Sequence, residues 1–317
     1  MKTRLLLGML LASLCLSACS KTQDDSGRAD RDDSSSDNGA ATKPAEAPKK
    51  AAPPSSITLD LTDEVRMKLV LIPAGEFMMG AEAPAVEVAE KFKRYSSQES
   101  YYLAEHPRHK VAISKPFYMG RLEVTRPQWI AVMGTTPWKG RKCDRPEAGD
   151  VANHVSWELA DKFCKALAKK TGRKASLPTE AQWEYACRAG TESAFSFGDD
   201  DSRMGLYAWY AANTLVADDP HPHTAGRKPP NRWGLYDMHG NASEWCRDWY
   251  DAKFYEKAPA IDPENTDKAQ QRVLRGGQWD QYPDACRSAF RAKDIPTARK
   301  CGYGFRVVTE VEPVTDK

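Results

Sequence analysis

The sequence lacks an excess of either charge. Its 317 residues include 46 Lys and Arg against 44 Asp and Glu, which leaves a formal net charge of +2. A dedicated nucleic-acid-binding protein carries a strongly basic surface, so this balance argues against a nucleic-acid partner. Beyond residue 20 the chain also has no long apolar run, which excludes a protein with several membrane spans.

Motifs of the common catalytic classes are missing as well. The sequence contains no phosphate-binding glycine-rich loop, no serine-hydrolase elbow and no zinc signature. His221 and His223 flank Pro222, and the proline prevents their presentation from a helix, so the pattern alone is a weak indication of a metal site. Eight cysteines are too few for a small disulfide scaffold and too many to ignore.

The first 18 residues have the organisation of an export signal. Lys2 and Arg4 precede the apolar run Leu5–Leu16, which is too short to span a bilayer as a permanent helix. The run leads into small residues before Cys19, an arrangement that resembles a bacterial lipobox. We therefore expect a lipoprotein signal peptide over residues 1–18.

Cys19 is the expected lipidation site. Several acyl chains on one residue give stable membrane anchoring. Ser20 follows Cys19 in place of the Asp that often marks inner-membrane retention, which favours the periplasmic side of the outer membrane. The alternative is ordinary cleavage after Ala18, which would release a soluble secreted protein.

Residues 19–56 are predicted to form a lipidated, disordered tether. From residue 20 onwards they contain no aromatic residue and no β-branched residue except Thr22 and Thr42. Such a segment cannot bury enough apolar surface to offset its ordering entropy. Aromatic residues, including all nine Trp, appear from residue 57 onwards, so we expect one folded domain over residues 57–311 and a short tail over 312–317.

Helix signals and short apolar runs predict an α+β domain with many loops. Capping patterns at Thr125 and Thr179 each predict a short helix, ending at Gly134 and Gly190 respectively. Apolar residues at three- and four-residue spacing predict a third helix over Trp157–Thr171. The predicted strands are Leu69–Ile72, Val111–Ile113, Phe117–Met119, Val273–Arg275 and Phe305–Val308.

Six ordered blocks of this domain are similar to one known family. They are Leu71–Gly80, Glu123–Thr125, Leu177–Ala186, Gly234–Trp245, Arg275–Gly277 and Gly304–Arg306. In this order they resemble the formylglycine-generating enzyme, or sulfatase-modifying factor, family, and the resemblance covers roughly residues 67–308. It implies a C-type-lectin-like α+β fold rich in loops.

The resemblance also allows the residues of the family's catalytic centre to be compared with this sequence. Its enzyme oxidises a substrate cysteine with O₂ and Cu(I), which is held by two thiolates five residues apart. Here Cys286 matches the second thiolate, but Gln281 occupies the first position, and an amide is a poor ligand for Cu(I). Gln278 and Ser243 replace a further Ser and Trp of the family centre. We therefore expect Cu(I) to be absent, and Cys286 remains the candidate catalytic residue for the alternative.

A calcium loop is a second expectation from the resemblance. Asp237, the His239 carbonyl, Asn241 and Glu244 match a family calcium site, and hard oxygen ligands in a glycine-containing turn suit Ca²⁺. The alternative is a turn whose polar groups are satisfied by its own side chains.

The remaining cysteines permit disulfides in an exported protein. Cys143 and Cys301 lie in predicted loops and are a candidate pair. Cys286 could be free, paired or catalytic.

Three functions compete on this evidence. The favoured one is a membrane-anchored, non-catalytic module of an envelope system, possibly one for secretion, that binds a protein partner. Trp279 and Tyr282, with Gln278 and Ser243, are the expected binding surface. The alternatives are an oxidase or related enzyme that uses Cys286 with a second thiol such as Cys301, and a cell-wall or glycan-binding module.

Overall fold

The computed structural model describes residues 52–96, 98–144 and 151–312, which fall within one compact unit. The predicted signal peptide, Cys19 and most of the tether lie outside the described residues. The strands are β1 (Ser56–Asp60), β2 (Arg66–Ile72), β3 (Gly75–Met79), β4 (His109–Ile113), β5 (Phe117–Gly120), β6 (Ala175–Ser176), β7 (Ser243–Trp249), β8 (Arg272–Arg275), β9 (Ala292–Asp294), β10 (Tyr303–Gly304) and β11 (Val308–Glu310). The α-helices are α1 (Ala85–Lys91), α2 (Arg126–Met133), α3 (Trp157–Thr171), α4 (Glu180–Arg188) and α5 (Met204–Tyr207).

Short strands form sheets that are joined by long loops. One sheet has the order β1-β2-β5-β11-β6, a second has the order β10-β7-β8-β9, and β3 pairs with β4. Within the first sheet all neighbours are antiparallel, and β10 lies parallel to β7. The domain is α+β with a large irregular fraction, as the sequence predicted.

The three predicted helices are present at the predicted places. Helix α3 runs from Trp157 to Thr171, and Ser156 caps it by accepting a hydrogen bond from the Leu159 N–H. Helices α2 and α4 begin after the capping boxes of Thr125 and Thr179. Each of the three ends at a residue in the left-handed region, although for α4 this residue is Ala189, one position before the predicted glycine.

An aromatic cluster joins the helices to the end of the chain. Trp129 of α2 stacks on Phe163 of α3 at 5.4 Å, and both contact the ring of Phe305 edge-on. All three side chains are completely buried. The predicted strand Phe305–Val308 is therefore wrong over most of its length. Residues 305–307 connect β10 to β11 without strand pairing, because Phe305 leaves the sheet to fill this core.

Buried ion pairs hold the segment after β8 against α4. Glu184 accepts from Arg275 at 2.6 Å, and Glu180 accepts from both Arg275 and Arg291 at 2.7–3.0 Å. All four side chains are almost inaccessible to water. Breaking one partner of such a pair leaves a buried charge uncompensated, so these contacts fix where residues 276–290 can lie.

The folded part begins slightly before its predicted boundary. Tyr118 donates to the Pro54 carbonyl at 2.9 Å, the Leu71 N–H donates to Ser55, and Ser56 already belongs to β1. The last residues assigned to the tether are thus attached to the sheet. Within residues 52–96, 98–144 and 151–312, no helix has the length and apolar character needed to cross a bilayer.

Candidate functional site

The segment that carries Cys286 leaves β8 through two glycines in the left-handed region. Gly276 and Gly277 have φ of 93° and 72°. A Cβ on Gly277 would lie 2.5 Å from Cys286 Sγ, so only glycine allows the backbone to pack this closely on the thiol. After Tyr282 the chain turns through a short 3₁₀ segment, Pro283–Cys286.

Cys286 is sealed inside the protein. Its residue exposure is zero, and it belongs to the same apolar cluster as Val88 of α1 and Phe92 just after that helix. Burial raises the pKa of the Cys286 thiol well above its usual range. A reactive cysteine needs thiolate character and access, and this thiol has neither in the described conformation.

Gln281 places an amide group where the family has its first Cys thiolate, and Gln278 places one where the family has a Ser hydroxyl. The Gln281 carbonyl accepts from the Ala211 N–H, and Gln278 donates to Asp280 at 2.7 Å. The side-chain oxygens of both glutamines, and Trp279 Nε1, are buried atoms without a hydrogen-bond partner among the described residues. Buried polar groups are normally paired, so these atoms remain available to water or to a ligand.

The expected binding surface is only partly exposed. Tyr282 is 43% exposed, whereas Trp279 is 3% exposed and Ser243 is 2% exposed. The prediction that Trp279 lies on the surface is wrong because its backbone is hydrogen-bonded on both sides, to Asn241 and to Thr214, which draws the ring into the domain.

Residues near α1 extend the exposed part of this surface. Tyr95 stacks on Tyr282 at 5.2 Å, and the Arg94 guanidinium lies 4.7 Å from the Tyr95 ring. We call Arg94, Tyr95 and Tyr282 the aromatic ledge. Sequence analysis missed Arg94 and Tyr95 because the nearby helix α1 has no side-chain cap and the contact between Tyr95 and Tyr282 spans almost 190 residues.

Two of the predicted calcium residues, Asn241 and Glu244, already have hydrogen-bond partners for their side chains. Glu244 accepts from Arg306 through both oxygens at 2.6 Å and from Trp183 at 2.8 Å. Asn241 accepts from the His223 N–H and donates to Glu123. The four-residue calcium set stays a prediction, and its Glu244 member is paired with a fixed cation.

Two further carboxylates, those of Asp237 and Glu123, are buried near Glu244 and Arg306. Asp237 Oδ1 and Glu123 Oε2 are buried and accept no hydrogen bond from the described residues. Burial raises the pKa of Asp237 to about 6, and burial together with the Asp237 charge raises that of Glu123 well above its usual range. Glu123, which the sequence analysis did not name, thus belongs to the same buried acidic cluster as Asp237 and Glu244.

His239 links this cluster to the cysteine segment through its side chain. Its Nδ1 donates to the Cys286 carbonyl at 2.9 Å, and its Nε2 accepts from the Ser196 N–H at 3.0 Å. Burial lowers the pKa of His239 to about 4, so the ring is neutral at physiological pH. His239 therefore positions the Cys286 backbone, and the residue also lines a cleft of about 360 Å³.

The predicted disulfide between Cys143 and Cys301 is present. It ties the loop after α2 to the loop before β10. The alternative in which Cys301 supplies the second thiolate beside Cys286 is therefore wrong, because Cys301 Sγ is bonded to Cys143. The free thiols among the described residues are Cys164, Cys187, Cys246 and Cys286, and all four are buried.

This loop-rich α+β domain has the C-type-lectin-like architecture of sulfatase-modifying factors. The sulfatase-modifying factor enzyme 1-like domain family matches residues 60–311, and the chain belongs to that family. The structure of PvdO from Pseudomonas aeruginosa superposes with a TM-score of 0.68 at 25% identity, over 82% of this chain and all of that one.

Two curated relatives place the domain in different proteins. The chain is 32% identical over 201 residues to the formylglycine-generating enzyme of Streptomyces coelicolor, which covers 59% of this chain and 62% of that enzyme. It is 37% identical over 161 residues to the serine/threonine-protein kinase pkn1 of Chlamydia pneumoniae, which covers 50% of this chain and 23% of the kinase. The chain thus spans less than two thirds of either relative.

Proposed function

We propose that this chain is a membrane-anchored envelope protein whose sulfatase-modifying-factor domain binds a protein partner and does not oxidise cysteine. The observation that carries the proposal is the state of Cys286. Its thiol is buried and held protonated, and Gln281 stands where a second thiolate would complete a copper site.

The same segment offers features suited to recognition. Tyr282 presents an exposed ring that is supported by Tyr95, and aromatic side chains with neighbouring cations are typical anchors of protein interfaces. Gln278 and Gln281 are partly exposed in the same segment as Tyr282, and their amide groups can donate and accept hydrogen bonds. A lipid anchor at Cys19 would keep the domain close to a membrane. A flexible tether would let this surface reach partners at different positions around the anchor.

Titration with Cu(I) tests the loss of the oxidase chemistry. In competition with a chromophoric chelator, the full chain should bind Cu(I) no more tightly than its Cys286→Ser variant, because the second soft ligand is an amide. A Cys-x-Pro-x-Arg peptide incubated with the chain and Cu(I) in air should keep its mass.

Cys164→Ser is the matched control, since Cys164 is equally buried but far along the sequence in α3. A one-to-one Cu(I) complex that is lost in Cys286→Ser and kept in Cys164→Ser would restore the oxidase interpretation and remove our proposal.

Proximity labelling in cells tests the recognition surface. The full chain fused to a labelling enzyme should mark a reproducible envelope protein, and Tyr282→Ala should reduce that labelling at least several-fold because interface anchors dominate binding energy. Leu206→Ala is the control, since Leu206 is 63% exposed and lies outside the aromatic ledge. Equal labelling by the wild type and the Tyr282 variant would contradict the assignment of this surface.

A further inference from the structure

Three potential metal ligands converge in the loop between α5 and β7. Asp219, His221 and His223 each offer a ligand atom, and these atoms all lie within 4.8 Å of one another. His221 Nε2 lies 2.6 Å from Asp219 Oδ1, and His223 Nε2 lies 3.0 Å from Asp219 Oδ2. The folded loop thus presents both rings to one carboxylate without needing a helix.

Backbone carbonyls fix the tautomer of both rings. His221 Nδ1 is 2.7 Å from the Pro222 carbonyl oxygen, and His223 Nδ1 is 3.1 Å from the His221 carbonyl oxygen. A carbonyl oxygen only accepts, so each Nδ1 carries the proton and each neutral ring turns its Nε2 lone pair towards Asp219. Hydrogen bonding of one ring nitrogen to a carbonyl is the arrangement that orients metal-ligating histidines in proteins.

With both neutral rings in this tautomer, their contacts with Asp219 are repulsive. Two Nε2 lone pairs would face two carboxylate oxygens, which are also acceptors. Protonation of both rings would remove that conflict but would stack two imidazolium cations with centroids 4.5 Å apart on one carboxylate. A single cation between Asp219 and the two Nε2 atoms satisfies all three groups and leaves both rings neutral.

The two histidines are held in place, and the carboxylate is more accessible. His223 stacks on Trp209 at 3.9 Å between ring centroids. The side chains of His221 and His223 are 10% and 14% exposed, whereas that of Asp219 is 45% exposed. Two ligands are therefore positioned by packing, and the third lies on the side from which an ion would arrive.

We propose that Asp219, His221 and His223 bind a divalent transition-metal ion, with Zn²⁺ as the best match. Two imidazoles and one carboxylate, with a fourth position open to solvent, form a composition that zinc accepts. Metal–ligand distances of about 2.0–2.2 Å place tetrahedral ligands about 3.3 Å apart. On binding, the 2.6 Å contact between His221 and Asp219 would therefore open, and the widest separation, at most 4.8 Å, would close.

An ion at this site would stiffen the backbone around Trp279, in the segment that leads to Tyr282 of the aromatic ledge. The Asp219 N–H donates to the Thr214 carbonyl, and Thr214 Oγ1 donates to the Trp279 carbonyl. On the other side of the loop, the His223 N–H donates to Asn241, whose carbonyl accepts from the Trp279 N–H. The site shares no ligand with Cys286 or with the predicted calcium set, so it is a separate centre.

Zinc titration of the full chain against a chromophoric chelator, with the disulfide intact, tests the proposal. One equivalent should bind, and His221→Ala combined with His223→Ala should weaken affinity by more than the 10- to 100-fold that is typical for loss of an outer-shell partner. Asp219→Asn keeps the size of an exposed side chain, and it should also weaken binding. A hundredfold excess over Kd should raise the melting temperature of the wild type by about 5–10 °C.

Cobalt substitution separates this site from the thiols. The Co²⁺ complex should show d–d absorption without sulfur-to-cobalt charge transfer, because all three ligands are nitrogen or oxygen. His109→Ala is the matched control, since His109 also bonds a carbonyl through Nδ1 but lies in β4. Unchanged zinc affinity in Asp219→Asn and in the folded double variant, or a cobalt spectrum with thiolate bands, would overturn the proposal.

Discussion

Arg306→Met is expected to lower the free energy of unfolding by about 3–5 kcal/mol, because it leaves the buried Glu244 carboxylate without its cation. Arg306 and Glu244 are both fully buried and pair through two hydrogen bonds of 2.6 Å. The loss should be larger than for an isolated pair, since Asp237 and Glu123 also face the same guanidinium. Urea denaturation followed by tryptophan fluorescence measures the change.

Two further variants show whether charge compensation causes this loss. Arg66→Met removes an exposed arginine whose side chain is 69% accessible and pairs with Asp60, so it should cost no more than about 1 kcal/mol. Arg306→Met combined with Glu244→Gln should recover part of the stability, because the orphaned charge is removed as well. Equal losses from the Arg66 and Arg306 variants would contradict this account of the core.

Trp129→Ala is expected to cost about 3–5 kcal/mol, the range for truncating a fully buried large aromatic side chain. The indole fills the junction of α2, α3 and the connection after β10, where it meets Phe163 and Phe305. The variant also removes the hydrogen bond from Trp129 Nε1 to Thr135 at 3.0 Å. The same urea titration, followed by circular dichroism because a tryptophan is lost, gives the difference.

Ile130→Ala provides the comparison on the same helix. Ile130 is 47% exposed, so its truncation should change stability by about 0.5 kcal/mol or less. If Ile130→Ala destabilised the protein as much as Trp129→Ala, burial of the indole would not account for the loss, because alanine has the higher helix propensity at both positions.

Local signals predicted the helices well because those signals act within a few residues. Thr125, Ser156 and Thr179 cap helices through contacts only three residues away, and a glycine in the left-handed region ends α2 and α3. The Phe305–Val308 strand failed because a contact with Trp129, distant in sequence, draws Phe305 out of the sheet.

The candidate site was harder to foresee because its character depends on long-range burial. The replacement of a thiolate by Gln281 is visible in the sequence. The burial of Cys286, however, depends on packing with α1, which lies almost 200 residues earlier in the chain. Trp279 reads as an exposed aromatic and is buried by backbone hydrogen bonds to Asn241 and Thr214. Asp219 was missed although it lies two residues before His221, because the proline-containing segment has no helix or strand spacing that predicts convergence of the three side chains.

The attachment of β1 also bears on how the domain would respond to force. If Cys19 is anchored, tension on the tether first meets the hydrogen bonds to Pro54 and Ser55 and then reaches Ser56, whose partner in the antiparallel pair is Val70. A pull at this end of the β1–β2 hairpin opens the pairs one after another, from Ser56 towards Asp60, rather than shearing them together. Unzipping would withdraw Leu59 from the core, so stretching of the tether would be felt at the sheet before it reached the cysteine segment.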